Sequence, residues 1–261
     1  FNNSSATATV NYTIPAQTPC GGFLPLTFQI TNSLGTITVT RNLSIGSPIE
    51  TFSENFDQVS TPAFPAGWTV STINGGIAFV TSTNNSDTAP NSAFALDPLT
   101  VGGGTDLTSP TIPIAVSNAT VSFRNRFDTE ADWDGGVLEV SVGGGAFQDI
   151  NASGGSFIQN GYNSVLGFGG SSNPNPLVNR PAWSGDSGGY VTTIALLPPS
   201  AAGQEIRLRW RFGADDNTAE LGWNIDSIKV FGNYNCSLDS SSVKSRGDFD
   251  GDGRTDLAVF R

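Results

Sequence analysis

Gln204-Glu205-Ile206-Arg207-Leu208-Arg209-Trp210-Arg211-Phe212 is the stretch that decides the fold. Ile206, Leu208, Trp210 and Phe212 fall on every second position, and Glu205, Arg207, Arg209 and Arg211 fill the positions between them. Successive side chains of a strand point to opposite faces, so this alternation places the apolar set, Trp210 included, in a core and the arginines outside it. The same period of two recurs along the chain between Gly-, Pro- and Asn-rich turns, while no long window repeats apolar residues at three and four. The expected class is all-β.

Outward from that strand, alternation runs from Phe52 to about Phe231 with long Gly-rich connections such as Gly154-Gly155 and Gly167 to Gly170. A domain of this length suits a two-sheet jelly roll better than a seven-strand sandwich. The glycine runs do not stand between a strand and a helix, so they make no phosphate cradle. Toward the N-terminus three strands are expected: Ala8, Val10, Tyr12 and Ile14 on one face, then Leu24, Leu26, Phe28 and Ile30, then Ile37, Val39, Leu43 and Ile45. Three one-faced strands do not close a sandwich, so residues 1–47 read as a partial immunoglobulin-like segment, with a β-meander packed on the next domain as the alternative. Gly46-Ser47-Pro48 marks a boundary. Residues 48–232 form the jelly-roll domain, and residues 233–261 hold a Ser-rich linker, Ser237 to Ser245, and the start of a further repeat.

With 37% hydrophobic residues the chain has material for a core, and its net charge of −11 disfavours nucleic-acid and membrane-surface binding, both of which need a positive face. Only two of the cationic residues are lysines, Lys229 and Lys244. The absence of histidine removes Ser-His-Asp and Cys-His nucleophile systems and His-ligated zinc. What remains is carboxylate chemistry, oxygen-ligated metal and binding. The composition is that of a secreted or cell-surface bacterial protein, with no apolar run long enough for a membrane span. Without Met, Phe1 reads as the start of a processed or excised piece. Cys20 and Cys236 either pair, as an oxidising compartment favours, or are unrelated thiols.

Carboxylates carry the chemistry. Glu54 alternates with Phe52 and Phe56, and Asp226 with Ile228 and Val230, so both acids are expected on inward faces. A buried carboxylate protonates or finds a cation, and the first and last strands of a jelly roll commonly adjoin. A shared calcium ion is one reading, and wetted strand ends or turn caps are the other. The loop Asp128-Thr129-Glu130-Ala131-Asp132-Trp133-Asp134 is either solvated or gathers a second cation, with Asp128 and Asp134 as ligands and Asp215-Asp216 as a pair able to join either site. Asp248, Asp250, Asp252 and Asp256 follow the D-x-D-x-D-G-x-x-D spacing of a calcium loop, with Gly253 for the turn. Among aromatic residues, Trp133 and Trp183 stand beside acidic and small residues and are the expected exposed ligand-binding rings, whereas Trp68 and Trp223 are expected to plug the sandwich.

Taken in order, Phe52-Ser53-Glu54-Asn55-Phe56-Asp57, Pro65-Ala66-Gly67-Trp68, Leu107-Thr108-Ser109-Pro110, Asp134-Gly135-Gly136-Val137-Leu138-Glu139, Arg180-Pro181-Ala182-Trp183-Ser184-Gly185 and Gly222-Trp223-Asn224-Ile225-Asp226 resemble the MAM-like, cleaved-adhesin and choice-of-anchor jelly-roll domains of secreted bacterial proteins. The resemblance implies a non-catalytic domain with structural calcium that serves adhesion, and it maps the family's acidic strands onto Glu54 and Asp226. The tail is similar to the opening of an FG-GAP or VCBS-type repeat. The expected function is a calcium-stabilised adhesion or binding module for a glycan or extracellular protein. The alternatives are a filament subunit that self-assembles by strand pairing, and a carbohydrate-active enzyme using Asp132 and Asp134.

Overall fold

The structure, a computed structural model, describes residues 18, 20–32, 35–100, 102–167 and 174–236. The first expected strand, Ala8 to Ile14, and the acidic loop Asp248 to Asp256 lie outside the described residues. Two compact units divide the chain, one formed by Phe1–Ser47 with Asn235–Arg261 and one by Pro48–Tyr234.

In the smaller unit β1 (Phe23–Asn32) and β2 (Gly35–Ser44) form an antiparallel hairpin. Its register sets Leu24 opposite Leu43, Phe28 opposite Val39 and Ile30 opposite Ile37, so the apolar positions meet across the strands as their alternation requires. Cys20 and Cys236 are joined in a disulfide.

From the boundary, at which β3 (Ser47–Ile49) begins, the larger unit runs through β4 (Phe52–Glu54), β5 (Thr69–Ile73), β6 (Val80–Ser82), β7 (Ser92–Ala95), β8 (Gly103–Thr108) and β9 (Ile112–Ile114). Then come β10 (Thr120–Asp128), β11 (Gly135–Val142), β12 (Gln148–Asp149), β13 (Ser156–Gln159), β14 (Ser164–Val165) and β15 (Pro181–Ala182). The last four strands are β16 (Val191–Leu196), β17 (Gln204–Ala214), β18 (Gly222–Phe231) and β19 (Asn233–Asn235). Two antiparallel sheets result. One has the order β13-β16-β10-β18-β7-β6, with β4 also on β18, and the other β12-β11-β17-β8-β5, with β9 also on β17. Short pairs, β14 with β15 and β3 with β19, complete the set. This is a jelly-roll β-sandwich.

The core lies between the sheets. β17 turns Ile206, Leu208, Trp210 and Phe212 inward, and β10 turns Val121, Phe123, Asn125 and Phe127 toward them. Trp68, Trp210, Phe123, Trp183 and Trp223 form a continuous run of ring contacts with centroids 5.6–6.0 Å apart. Asn125 is carried into this core by the same alternation, and its Oδ1 accepts the indole N–H of Trp223 at 2.7 Å. Trp68 and Trp223 are thus core residues, as expected. Trp183 is a correction, since it is 1% exposed and packs on Phe157, Tyr162 and Trp223. Gly136 exchanges backbone hydrogen bonds with Trp183, and its missing side chain leaves room for the ring of Trp223, on which Trp183 packs; a Cβ there would strike that ring.

A bulge in β18 corrects a second expectation. Ser122 faces Lys229 while Arg124 faces Asp226, so three steps along β18 match two along β10, and Ser227 takes φ of 49°. The extra residue reverses the phase. Ile228 and Val230 point to the core beyond the bulge, but Trp223 and Ile225 do so before it. Asp226 therefore shares a face with Asn224 and not with Ile228.

Candidate metal centre and binding cleft

Four acidic residues converge at one end of the sandwich. Asp97 follows β7, Glu130 and Asp134 sit in the connection from β10 to β11, and Asp215 follows β17. Two of these elements belong to each sheet. The connection is a tight turn. The N–H of Asp134 donates to the carbonyl of Glu130 at 3.0 Å, Asp132 adopts φ of 67°, and the hydroxyls of Thr129 and Ser184 donate to the Asp134 carbonyl at 3.0 and 2.7 Å. Ligand oxygens of Glu130, Asp134 and Asp215 all lie within 4.8 Å of one another. The Asp97 carboxyl lies beside that of Asp134, close enough for each to act on the charge of the other.

Three of the carboxylates have one oxygen tied to backbone. Asp97 Oδ2 accepts the N–H groups of Glu130 and Glu220, each at 3.3 Å. Asp134 Oδ1 accepts the N–H of Asp215 at 2.7 Å, and Asp215 Oδ1 that of Asn217 at 2.9 Å. By contrast Asp97 Oδ1, Glu130 Oε2 and Asp134 Oδ2 are buried without a hydrogen-bond partner. Asp134 is fully buried and Asp97 is 2% exposed. Among the described residues no lysine or arginine pairs with any of the four. Burial, then the charge of Asp97, pushes the Asp134 carboxyl up to about 9. Burial likewise raises Asp97, and burial together with the charge of Asp215 raises Glu130.

Of the residues expected from sequence, the structure brings Asp134 into this cluster together with Asp215. Asp128 stays at the end of β10, where it bridges to Asp186, and exposed Asp132 accepts a hydrogen bond from the Ser164 hydroxyl. Asp216 is exposed. Asp97 was missed, since a lone acid at a strand end carries no pattern. Glu130 was visible in the acidic run, but nothing in the sequence separates it from Asp128.

Glu54 and Asp226 are arranged differently. Asp226 Oδ2 accepts the N–H groups of Asp87 and Thr88 at 2.8 and 2.9 Å, and its Oδ1 accepts the N–H of Ser227 at 2.6 Å and the Thr88 hydroxyl at 3.3 Å. Both oxygens are taken, and the carboxylate fastens the connection between β6 and β7 directly. Burial still outweighs these bonds and raises the group. Glu54 Oε1 accepts the N–H groups of Asn55 and Phe56 at 3.0 and 2.7 Å, closing a turn in which Phe56 has φ of 63°. Glu54, Thr88 and Ser227 line one hollow of about 490 Å³.

The outer face of the β11–β17–β8 sheet carries a ladder of paired charges. Glu139 meets Arg180 and Arg209 at 2.5 Å each, Asp106 meets Arg211 at 2.6 Å, and Asp149 meets Arg180 at 2.9 Å. Burial pushes the Glu139 carboxyl upward, but the Arg180 hydrogen bond and the charges of Arg209 and Arg211 outweigh it and hold the group below its ordinary value.

A cleft of about 990 Å³ opens at the other end of β11 and β17. Val142 pairs with Ile206 there, whereas Gly135 pairs with Gly213 near the acidic cluster. At a strand rise of about 3.4 Å the two ends stand roughly 24 Å apart. Phe147, Thr111, Ser141, Gln204, Glu205 and Arg207 lie along its wall, beside the bare backbone of Gly143 to Gly145. The Phe147 ring has the Arg209 guanidinium at 4.0 Å from its centroid. Trp133 is 41% exposed.

No protein-family model matches the sequence, and no curated protein matches it. Among solved structures, the chain is similar to TmCBM61 in complex with β-1,4-galactotriose, with 13% identity and a TM-score of 0.38, covering 69% of this chain and 99% of that one. It is similar to the K3 cleaved adhesin domain of Lys-gingipain from Porphyromonas gingivalis, with 14% identity, a TM-score of 0.38, and coverage of 70% and 98%. It is also similar to the CBM22-1 xylan-binding domain of Xyn10C from Paenibacillus barcinonensis, with 11% identity, a TM-score of 0.40, and coverage of 73% and 98%. Cleaved adhesin domains, read from the motifs, thus recur among the structural neighbours. Likeness at this level carries no functional weight.

Proposed function

We propose that this chain is a non-catalytic, calcium-stabilised binding module of an extracellular bacterial protein, and that it takes a neutral glycan. The cleft beside Phe147 carries the reading. Its volume suits a short oligosaccharide, and Phe147 supplies a ring for the apolar face of a sugar. Thr111, Ser141 and Gln204 supply hydroxyl and amide partners, and Glu205 and Arg207 cancel in charge, which favours an uncharged ligand. Glycoside hydrolysis needs two carboxyl groups flanking the bond, and Glu205 is the one carboxylate on the cleft wall. The Asp132 and Asp134 pair does not suit the task either, because fully buried Asp134 cannot reach a substrate. The disulfide suits an oxidising, extracellular setting, and no helix of the described residues is long and apolar enough to cross a membrane.

A panel of neutral polysaccharides and oligosaccharides, read by calorimetry, tests this. Binding without turnover is expected, weakened at least about tenfold in Phe147→Ala, a loss of about 1.4 kcal/mol. Binding lost in Trp133→Ala and untouched in Phe147→Ala moves the ligand to the acidic end. Turnover, or no binding to any member of the panel, contradicts the reading.

A further inference from the structure

We propose that Asp97, Glu130, Asp134 and Asp215 hold one divalent cation, calcium by class, which clamps the two sheets together at the end of the sandwich remote from the cleft. The clamp gives the calcium of the reading above its ligands, and it does not depend on the glycan part of that reading.

Three observations converge on it. The first is the division of labour within the carboxylates. In Asp97 and Asp134 one oxygen is held by backbone N–H groups and the other is buried and unpartnered, so the held oxygen orients the free one. Second-atom tethering of this kind is how ligating carboxylates are normally fixed. The second is charge. Four acids meet with no basic partner among the described residues, and buried carboxylates in that state are unfavourable unless something positive joins them. The third is ligand type and spacing. Every donor is an oxygen, and the spread of the Glu130, Asp134 and Asp215 oxygens, within 4.8 Å, matches oxygens around one ion at a calcium–oxygen distance of about 2.4 Å, with Asp97 beside Asp134. Oxygen-only donors point to a hard cation, and the mixture of loop and strand-end ligands suits the flexible shell of calcium better than the strict octahedron of magnesium.

The topology supplies the consequence. Asp97 and Glu130 follow strands of one sheet, while Asp134 and Asp215 flank strands of the other. An ion bound to all four ties the layers at their ends, and holds Trp133, the neighbour of Asp134, in place.

The test uses the full chain carrying Asp250→Asn and Asp252→Asn, which removes the acidic loop of the tail from the measurement. Protein stripped with a chelator is melted alone, with calcium and with magnesium. Calcium at about a hundred times its half-saturating concentration is expected to raise Tm by about 5–10 °C, and magnesium by less. Glu130→Gln, on a half-buried loop position, is expected to fold normally and to raise the half-saturating calcium concentration at least about tenfold, because affinity follows ligand charge. Asp134→Asn is expected to abolish the response and, because the amide oxygen can still accept the N–H of Asp215, to melt in chelator no lower than the stripped parent. If Asp134→Asn fails to fold, Glu130→Gln decides alone. A Tm indifferent to calcium overturns the clamp, and so does a response unchanged in Glu130→Gln or lost only in Asp226→Asn. A calcium response without glycan binding leaves the clamp standing and removes the glycan reading, and glycan binding without a calcium response does the reverse.

Discussion

Two regions of the larger unit bury carboxylates, and they satisfy them by different means. On the outer face of the β11–β17–β8 sheet, Glu139 and Asp106 are 4% and 3% exposed and are met by Arg180, Arg209 and Arg211 from neighbouring strands and the connection above them. At the sheet ends, Asp97 and Asp134 are as deeply buried and are met only by backbone N–H groups and one another. The ladder is complete within the chain. The cluster is complete only with a charge from outside. Burial of an acid is thus no sign of function by itself, and the presence or absence of a cationic partner separates the two cases.

The largest expected effect breaks the complete region. Arg209→Ala leaves Glu139 and Asp106 short of a partner and exposes one side of Phe147, so denaturant unfolding should show a loss of about 3–5 kcal/mol, with the calcium response retained. Next comes withdrawal of metal from the incomplete region. Chelation should cost about 3 kcal/mol relative to protein held at a hundredfold excess over the half-saturating calcium concentration. Asp226→Asn should cost about 1–3 kcal/mol, because the N–H groups of Asp87, Thr88 and Ser227 lose a charged acceptor, and it should leave the calcium response unchanged. The last effect is read as a slope and not as a midpoint, and in chelator it is a pair of opposite slopes. Glu139 has a lowered pKa, so its contribution is present above about 4.5 and fades as pH falls through the folded value. Asp134 is raised from 3.8 to about 9, so its contribution is full below 3.8 and is lost as pH climbs toward 9. Stability measured across pH in chelator should therefore decline on both sides, and saturating calcium should flatten the alkaline side.

Much of the fold is legible in the sequence because alternation is local. The faces of β17 follow from its own residues, and the apolar partners in the β1–β2 hairpin follow from theirs. The bulge at Ser227 is not legible, because an added residue shows only against the opposing strand, and it turned Asp226 to the other face. Trp183 misleads for a related reason. Small neighbours suggest exposure, yet its ring is buried by Phe123, Phe157, Tyr162 and Trp223, all far away in the chain. The acidic centre is half legible. Asp134 and Asp215 belong to visible acidic runs, while Asp97 joins them through the pairing of β7 with β18, which no local pattern encodes.

An ion held by the cluster at the sheet ends adds its mass to the chain. Native mass spectrometry of the chain carrying Asp250→Asn and Asp252→Asn, after saturation with calcium and dialysis into metal-free buffer, detects it most directly. One calcium per chain is expected, absent when Asp134→Asn is added. A chain that carries no calcium, or one that keeps its calcium without the Asp134 carboxylate, contradicts the clamp.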